Sequence, residues 1–266
     1  MNRVVGHCDL LWITLDTLRY DVACAELAAG HTPHLAAVLP EKRWEKRHTP
    51  GNFTFAAHAA FFAGFLPTPE EPGPHPRPFA LRFPGSESIT PDTCVLDGAT
   101  IVEGLAARGY RTVCIGGVGF FNPETPLGRV LPSLFQESHW NPALGVRDPH
   151  STQNQVRLAE RVVEQTPRDQ RLFLFLNVSA LHQPNHHYVP GATADSLATH
   201  AAALRYVDLW LGPLFEVFRK RGPTHAVILS DHGTTYGEDG YHGHRLAHPL
   251  VWTVPYAEFF LGGFPG

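Results

Sequence analysis

The chain has 266 residues, 43% of them hydrophobic and 17% charged, so it can bury a large core and is neither disordered nor a heavily solvated bundle. A formal charge of −4 gives no bulk electrostatic case for binding nucleic acid. Seventeen histidines raise the expectation of metal chemistry without locating it.

In chain order, residues 1–15 carry a short apolar run interrupted by His7 and Asp9, with no small-residue cleavage site after it. That reads as neither a secretory leader nor a membrane span, so the expectation is a cytoplasmic, reduced protein without a membrane partner. Residues 10–15 suit a buried parallel strand, ended by Asp16. The basic stretch at 42–47 is broken by Glu45 and reads as a solvated loop face. Residues 55–64 read as a short helix closed by Gly64. Proline and glycine make 67–92 a loop. A helix is predicted over 99–108, closed by Gly109, and a strand over 111–116. Residues 120–150 read as irregular. A helix follows over 151–166, with Ser151 or Thr152 as its cap. A strand is predicted over 172–178, a long helix over about 195–220, and a strand over 225–230 ended by Asp231. The tail at 254–261 can hold a last strand. Cys8, Cys24, Cys94 and Cys114 form no CxxC pair. Buried free thiols are the expectation for Cys8 and Cys114.

Strands thus alternate with helices, the pattern of an α/β fold with a mainly parallel sheet covered on both faces. No linker interrupts it, so a single domain over 1–266 is expected. Ligands of such sheets bind at the carboxyl ends of the strands, where Asp16 and Asp231 both fall.

Three segments can carry chemistry. Ser230-Asp231-His232-Gly233 offers a carboxylate and an imidazole to a divalent metal, and Gly233 allows a sharp turn. The structural alternative is a helix cap and a surface histidine. Leu15-Asp16-Thr17-Leu18-Arg19-Tyr20-Asp21 places a second acid after a strand. There too a cap, or an Arg19–Asp21 pair, is an alternative. In Asn52-Phe53-Thr54-Phe55-Ala56-Ala57-His58 the threonine at a helix start is either an N-cap or a nucleophile activated by a metal.

Together these segments resemble the alkaline phosphatase superfamily, and its sulfatase-like branch most closely. The opening strand with Asp16-Thr17-Leu18-Arg19-Tyr20-Asp21 is similar to the family's Asp-Thr-Leu-Arg-x-Asp motif. Thr32-Pro33-His34-Leu35, the run from Thr54 to Gly64, Gly109-Tyr110-Arg111-Thr112, and Tyr206-Val207-Asp208 with Leu211-Gly212 resemble further family segments. So do Ser230-Asp231-His232-Gly233 with Gly237-Glu238, and Val254-Pro255, all in family order.

The resemblance implies a three-layer α/β/α sandwich of the alkaline-phosphatase type. It implies Asp16, Asp231 and His232 as ligands of zinc or manganese, with the Thr54 oxygen beside them as nucleophile. His58 takes the place of a basic residue near the transferred group, with Asn52 near it. His182, followed by His186 and His187, resembles a family histidine stretch. His244, then His242, falls where two-metal members place another ligand, and Arg245 suits a phosphoryl or carboxylate oxygen. The singular alternative for each of these loop histidines is a solvated surface position.

Position 54 is not the Cys or Ser that sulfatases convert to formylglycine, and Ala56 and His58 replace that maturation motif's Pro and Arg. Phosphorus chemistry is therefore expected over sulfate hydrolysis. Thr17 replaces a second Asp and Val178 replaces an Asp of the second metal site, and the expectation is a single catalytic domain lacking the family's usual C-terminal subdomain. One metal site is expected and a second is open. The expected function is hydrolysis of a small phosphoester or phosphonate through Thr54, with His182 or His244 protonating the leaving oxygen. The alternatives are a phospho-group transferase, or a catalytically weak metal-binding member of the fold.

Overall fold

The computed structural model describes residues 4–64 and 99–263. The expected loop at 67–92, and Cys94, lie outside those residues. In chain order the elements are β1 (Asp9–Leu15), α1 (Tyr20–Ala28), α2 (Pro33–Ala36), β2 (Glu45–His48), α3 (Thr54–Ala63), α4 (Ile101–Ala107), β3 (Arg111–Ile115) and β4 (Glu137–His139). They continue with α5 (Ser151–Gln165), β5 (Leu172–Val178), α6 (Leu197–Arg221), β6 (Thr224–Leu229), β7 (Thr235–Tyr236), β8 (His242–Gly243), α7 (Pro249–Trp252) and β9 (Thr253–Leu261).

A seven-stranded sheet runs in the order β2-β9-β6-β1-β5-β3-β4. β1 pairs in parallel with β5 and β6, and β3 with β4 and β5, while β9 and β2 run antiparallel at one side. The fold is the expected α/β sandwich with a mainly parallel sheet.

Side-chain alternation decides what covers each face. Leu11, Ile13 and Leu15 of β1 and Leu172, Leu174 and Leu176 of β5 pack with α1, α5 and α6. Leu10 of β1 and Phe173 and Phe175 of β5 pack with Phe62 of α3 and Val102 of α4. With both faces buried, β5 is apolar at nearly every position, and Asn177 is its exception.

Register then places the site. Leu15 lies opposite Val178, and Thr14 opposite Leu229. The carboxyl ends of β1, β5 and β6 are level, and the loops leaving them meet at one rim of the sheet. Asp16, Thr14 and Asn177 share the parity of Leu10 and Phe173, so they point toward the α3 side.

Some expectations are corrected. The stretch at 42–47 is not wholly a loop, because its second half enters β2, an exposed edge strand paired with β9. Residues 120–150 contain β4. His150, not Ser151 or Thr152, precedes the first turn of α5. Cys8 and Cys114 are buried free thiols, as expected.

Family-like segments away from the rim have structural tasks. The Asp208 carboxylate on α6 accepts from the backbone N–H groups of His34 and Leu35 at 3.2 and 2.7 Å, so it caps α2 from a distance. A Cβ on Gly212 would come 2.6 Å from the His34 ring, so the close helix contact needs glycine there. The Tyr110 hydroxyl donates to the Cys8 carbonyl at 2.8 Å and ties β3 to the start of β1.

Candidate metal centre and nucleophile

Asp16 leaves β1, Asp231 and His232 leave β6, and Thr54 opens α3. All four are buried. Asp16, Asp231 and His232 each offer a ligand atom, all within 4.8 Å of one another. The Thr54 hydroxyl lies 3.4 Å from Asp16 Oδ2 and 3.4 Å from His232 Nε2. Phe53 precedes the helix, so Thr54 is its first residue and not an N-cap. The alternative of Asp231 and His232 as a cap and a surface histidine is excluded, since both are fully buried and no helix starts there.

The loops that hold these groups are built for close approach. Gly233 N donates to the Val251 carbonyl at 2.7 Å. A Cβ on Gly233 would meet the Leu250 carbonyl oxygen at 1.9 Å, which no side chain permits. Thr17 is a β-branched residue at φ 65°, a strained conformation. In that conformation its N–H donates to Asp231 Oδ1 at 3.1 Å, and the His232 N–H donates to the same oxygen at 3.0 Å. The Thr49 hydroxyl donates to the Asp231 carbonyl. Arg19 is buried and pairs with both Asp21 and Glu238, which clamps the β1 loop to the β6 loop. That arrangement contains the Arg19–Asp21 pair expected as a structural alternative.

Electrostatics test whether a cation fits. Asp16 Oδ1 and Asp231 Oδ2 are buried without a hydrogen-bond partner among the described residues. Burial, and then the Asp231 charge, push Asp16 up to about 6. Burial pushes Asp231 up to about 7. No Lys or Arg pairs with either carboxylate among the described residues. Two buried acids with orphaned oxygens are costly unless a cation joins them. His232 Nδ1 donates to the Gly233 carbonyl at 2.9 Å, which leaves the Nε2 lone pair facing the acids. Burial lowers the His232 pKa, so the ring is available as a neutral ligand. The donor set of two carboxylates and an imidazole suits zinc or manganese.

The remaining expected residues divide. His244 stands over His232 with ring centroids 4.5 Å apart, and His182 lies 5.7 Å from His244. Burial, then the neighbouring His232, lower His244 to about 3. His58 departs from its expected role. Its Nδ1 donates to the Thr54 carbonyl at 2.7 Å, and its Nε2 meets the Thr14 hydroxyl at 3.1 Å. The ring is fully buried among Phe61, Phe62, Phe121 and Phe175, and burial pulls it down to about 3. It braces α3 from behind as a neutral group and does not present a charge to a substrate.

The Asn52 carbonyl accepts from Arg245 N at 2.9 Å, which ties the loop before Thr54 to the segment after His244. The Arg245 side chain and His242 are exposed. His186 Nδ1 turns to Asp195 at 3.3 Å, and no described contact joins His186 to the buried group.

Sequence reasoning missed Asn177. Its Nδ2 donates to Asp16 Oδ2 at 3.0 Å, and its Oδ1 accepts from Val118 N at 3.0 Å. The signal was available, since a lone amide interrupts an apolar strand. Thr49 and Tyr236 carried no such signal.

Comparison with known proteins agrees with this layout. The sulfatase family model matches residues 9–256. No curated protein sequence matches the chain. The C-terminal periplasmic domain of phosphoethanolamine transferase EptC from Campylobacter jejuni superposes with a TM-score of 0.64 at 13% identity, covering 96% of this chain and 80% of that one. The corresponding EcEptC domain from Escherichia coli, in complex with Zn, gives 0.64 at 12% identity, covering 95% and 72%. The lipoteichoic acid synthase LtaP from Listeria monocytogenes gives 0.63 at 13% identity, covering 98% and 68%. At such identities the likeness is one of fold. Among the described residues no helix is long and apolar enough to cross a membrane.

Proposed function

This chain belongs to the sulfatase family, and we propose that it is a metal-dependent enzyme that cleaves a phosphoester or phosphonate through Thr54. One observation carries the reading: the Thr54 hydroxyl lies 3.4 Å from Asp16 Oδ2 and from His232 Nε2, beside two buried carboxylates that pair with no Lys or Arg among the described residues. A divalent ion held by Asp16, Asp231 and His232, zinc or manganese, would lower the pKa of the hydroxyl and draw charge from a phosphoryl oxygen.

The chain's own groups supply the rest. Thr54 sits at the N-terminus of α3, where free N–H groups favour an anionic phosphoryl group. Its oxygen attacks phosphorus in line with the leaving oxygen, its proton having been released to solvent. A Thr54 phosphoester forms as the bond to the leaving group breaks. His182 gives a proton to the leaving oxygen, while the neutral His244 stands beside His232. Water attacks the Thr54 ester, releases the phosphoryl group and restores the hydroxyl. Asn177 holds Asp16, and the Gly233 carbonyl holds the His232 tautomer. Threonine at position 54 argues against formylglycine-dependent sulfate hydrolysis.

A second reading replaces water with an alcohol, which makes the enzyme a transferase. The fold neighbours described as phosphoethanolamine transferases favour it.

The test is turnover of aryl phosphate monoesters, diesters, phosphonates and sulfates by metal-loaded protein, with and without an added alcohol. Thr54→Ala and Asp231→Ala are the controls. Phosphorus-ester cleavage lost in both variants is expected, and an alcohol ester among the products assigns transfer. Metal binding without turnover of any ester would leave a metal-binding member of the fold.

A further inference from the structure

Three imidazoles meet beside Thr54 from separate loops: His232 after β6, His182 after β5, and His244 just past β8. Their spacing, 4.5 Å from His232 to His244 and 5.7 Å from His182 to His244, is set between loops and not within one element. Such spacing holds only if the loops are tied to each other.

Tyr236 makes that tie. In β7 it pairs with His242 of β8, and the neighbouring Thr235 hydroxyl donates to the Gly243 carbonyl at 3.0 Å, directly before His244. The tyrosine backbone is therefore part of the hairpin that carries His244. Its hydroxyl reaches out of the hairpin. It accepts from Asn185 Nδ2 at 3.1 Å, and Asn185 Nδ2 also donates to the Leu181 carbonyl at 3.0 Å, directly before His182. Asn185 is itself fixed, with Oδ1 accepting from the Thr199 hydroxyl and its backbone N–H bound to Asp195 at 2.7 Å.

The third partner is His200 of α6, whose Nδ1 lies 2.9 Å from the Tyr236 hydroxyl, with the two rings edge to face at 79°. Burial holds His200 down to about 3 and Tyr236 up to about 12, so both are uncharged. Asn185 donates to the hydroxyl, Gln183 also bonds it, and the neutral His200 imidazole lies within hydrogen-bond reach. His200 Nε2 is buried and unpartnered among the described residues, a cost that an apolar residue would avoid. A histidine kept at such a cost serves the hydroxyl rather than the packing.

We propose that Tyr236, braced by Asn185 and His200, is a positioning residue that sets the separation of His182 and His244 beside Thr54. Its catalytic consequence rests on the function proposed above, while its geometric content does not.

Tyr236→Phe removes one oxygen and keeps the ring against His200. Two readouts decide. In metal-loaded protein, kcat for the preferred aryl ester is expected to fall about tenfold or more with KM changed less than about twofold. In metal-free protein, histidine-ring NMR signals of both His182 and His244, assigned with His182→Gln and His244→Gln, are expected to shift together. Asn185→Leu should reproduce both effects from the other side of the tie, and the double variant should add little to either. Unchanged ring signals for either histidine in a folded Tyr236→Phe or Asn185→Leu variant would overturn the proposal, as would an undiminished kcat. If the wild-type protein turns over no ester, the proposed function fails by itself, and the ring signals still decide the positioning role.

Discussion

Thr54, Asp16 and His232 form a triangle in which a single amide has disproportionate leverage. Asn177 is the neutral side chain that fixes Asp16 Oδ2, and it does so from inside an otherwise apolar strand. Asn177→Leu preserves the strand's character and frees the carboxylate. Affinity for zinc, measured by competition with a chelator, should fall roughly 10- to 100-fold, and the orphaned Val118 N–H should lower stability by about 1–3 kcal/mol. Unaltered affinity would remove Asn177 from the site. Asp231 permits a second test, by pH. Its pKa rises from an ordinary 3.8 to about 7 in the fold. A carboxyl with a raised folded pKa binds more protons folded than unfolded, so its contribution is intact below about 4 and is lost as pH climbs toward 7. His58, His200 and His244, held near 3, act with the opposite sign, so the whole-protein curve mixes both effects. The difference between Asp231→Asn and wild type cancels the histidines' common effect and reads the acid together with its push on Asp16. With chelator present, the variant should gain on the order of 3 kcal/mol relative to wild type between pH 4 and 7.5. A flat difference would mean that the acid is not held in the strained form described.

At the scale of elements, the site depends on turns that tolerate no extra atoms. Gly233→Ala would place a Cβ at 1.9 Å from the Leu250 carbonyl oxygen. Either the β6 loop or α7 must move, so the variant should lose metal binding together with several kcal/mol of stability. Native metal affinity in that variant would contradict the geometry. Asp208 is a contrasting case, because it caps α2 far from the chemistry. Asp208→Ala should cost about 1–2 kcal/mol in denaturant unfolding and leave kcat of the folded protein unchanged. The same contrast explains what the sequence revealed. β1, β5 and β6 are central strands buried on both faces, so their apolar runs stand out, and the expected bounds lie within a residue of the observed ones. β2, β4 and the β7–β8 pair are short and at an edge or outside the main sheet, where pairing rather than burial defines the strand. No local pattern of residues encodes such pairing.

In the whole molecule, the candidate centre is a product of strand order. Putting β1 between β5 and β6 brings residues 16, 177 and 231 to one rim. Collinear motifs group Asp16, Thr54, Asp231 and His232 in the sequence, because each sits at or within three residues of an element end. His58 was legible as a residue near Thr54 but not as a buried brace, since its surroundings are phenylalanines from α3, β5 and the segment around Phe121. His186 and His242 look equivalent to His182 and His244 in sequence. Only the turn geometry separates the rings that face the centre from one held by Asp195 and one left exposed.

The most direct test of Thr54 as nucleophile is acid quenching of metal-loaded protein during turnover of an aryl phosphoester, followed by peptide mass spectrometry. The account requires a phosphoester on the peptide that contains Thr54, absent after Thr54→Ala together with the turnover itself. Turnover that persists in Thr54→Ala, with no ester on Thr54 in the wild-type protein, would contradict it.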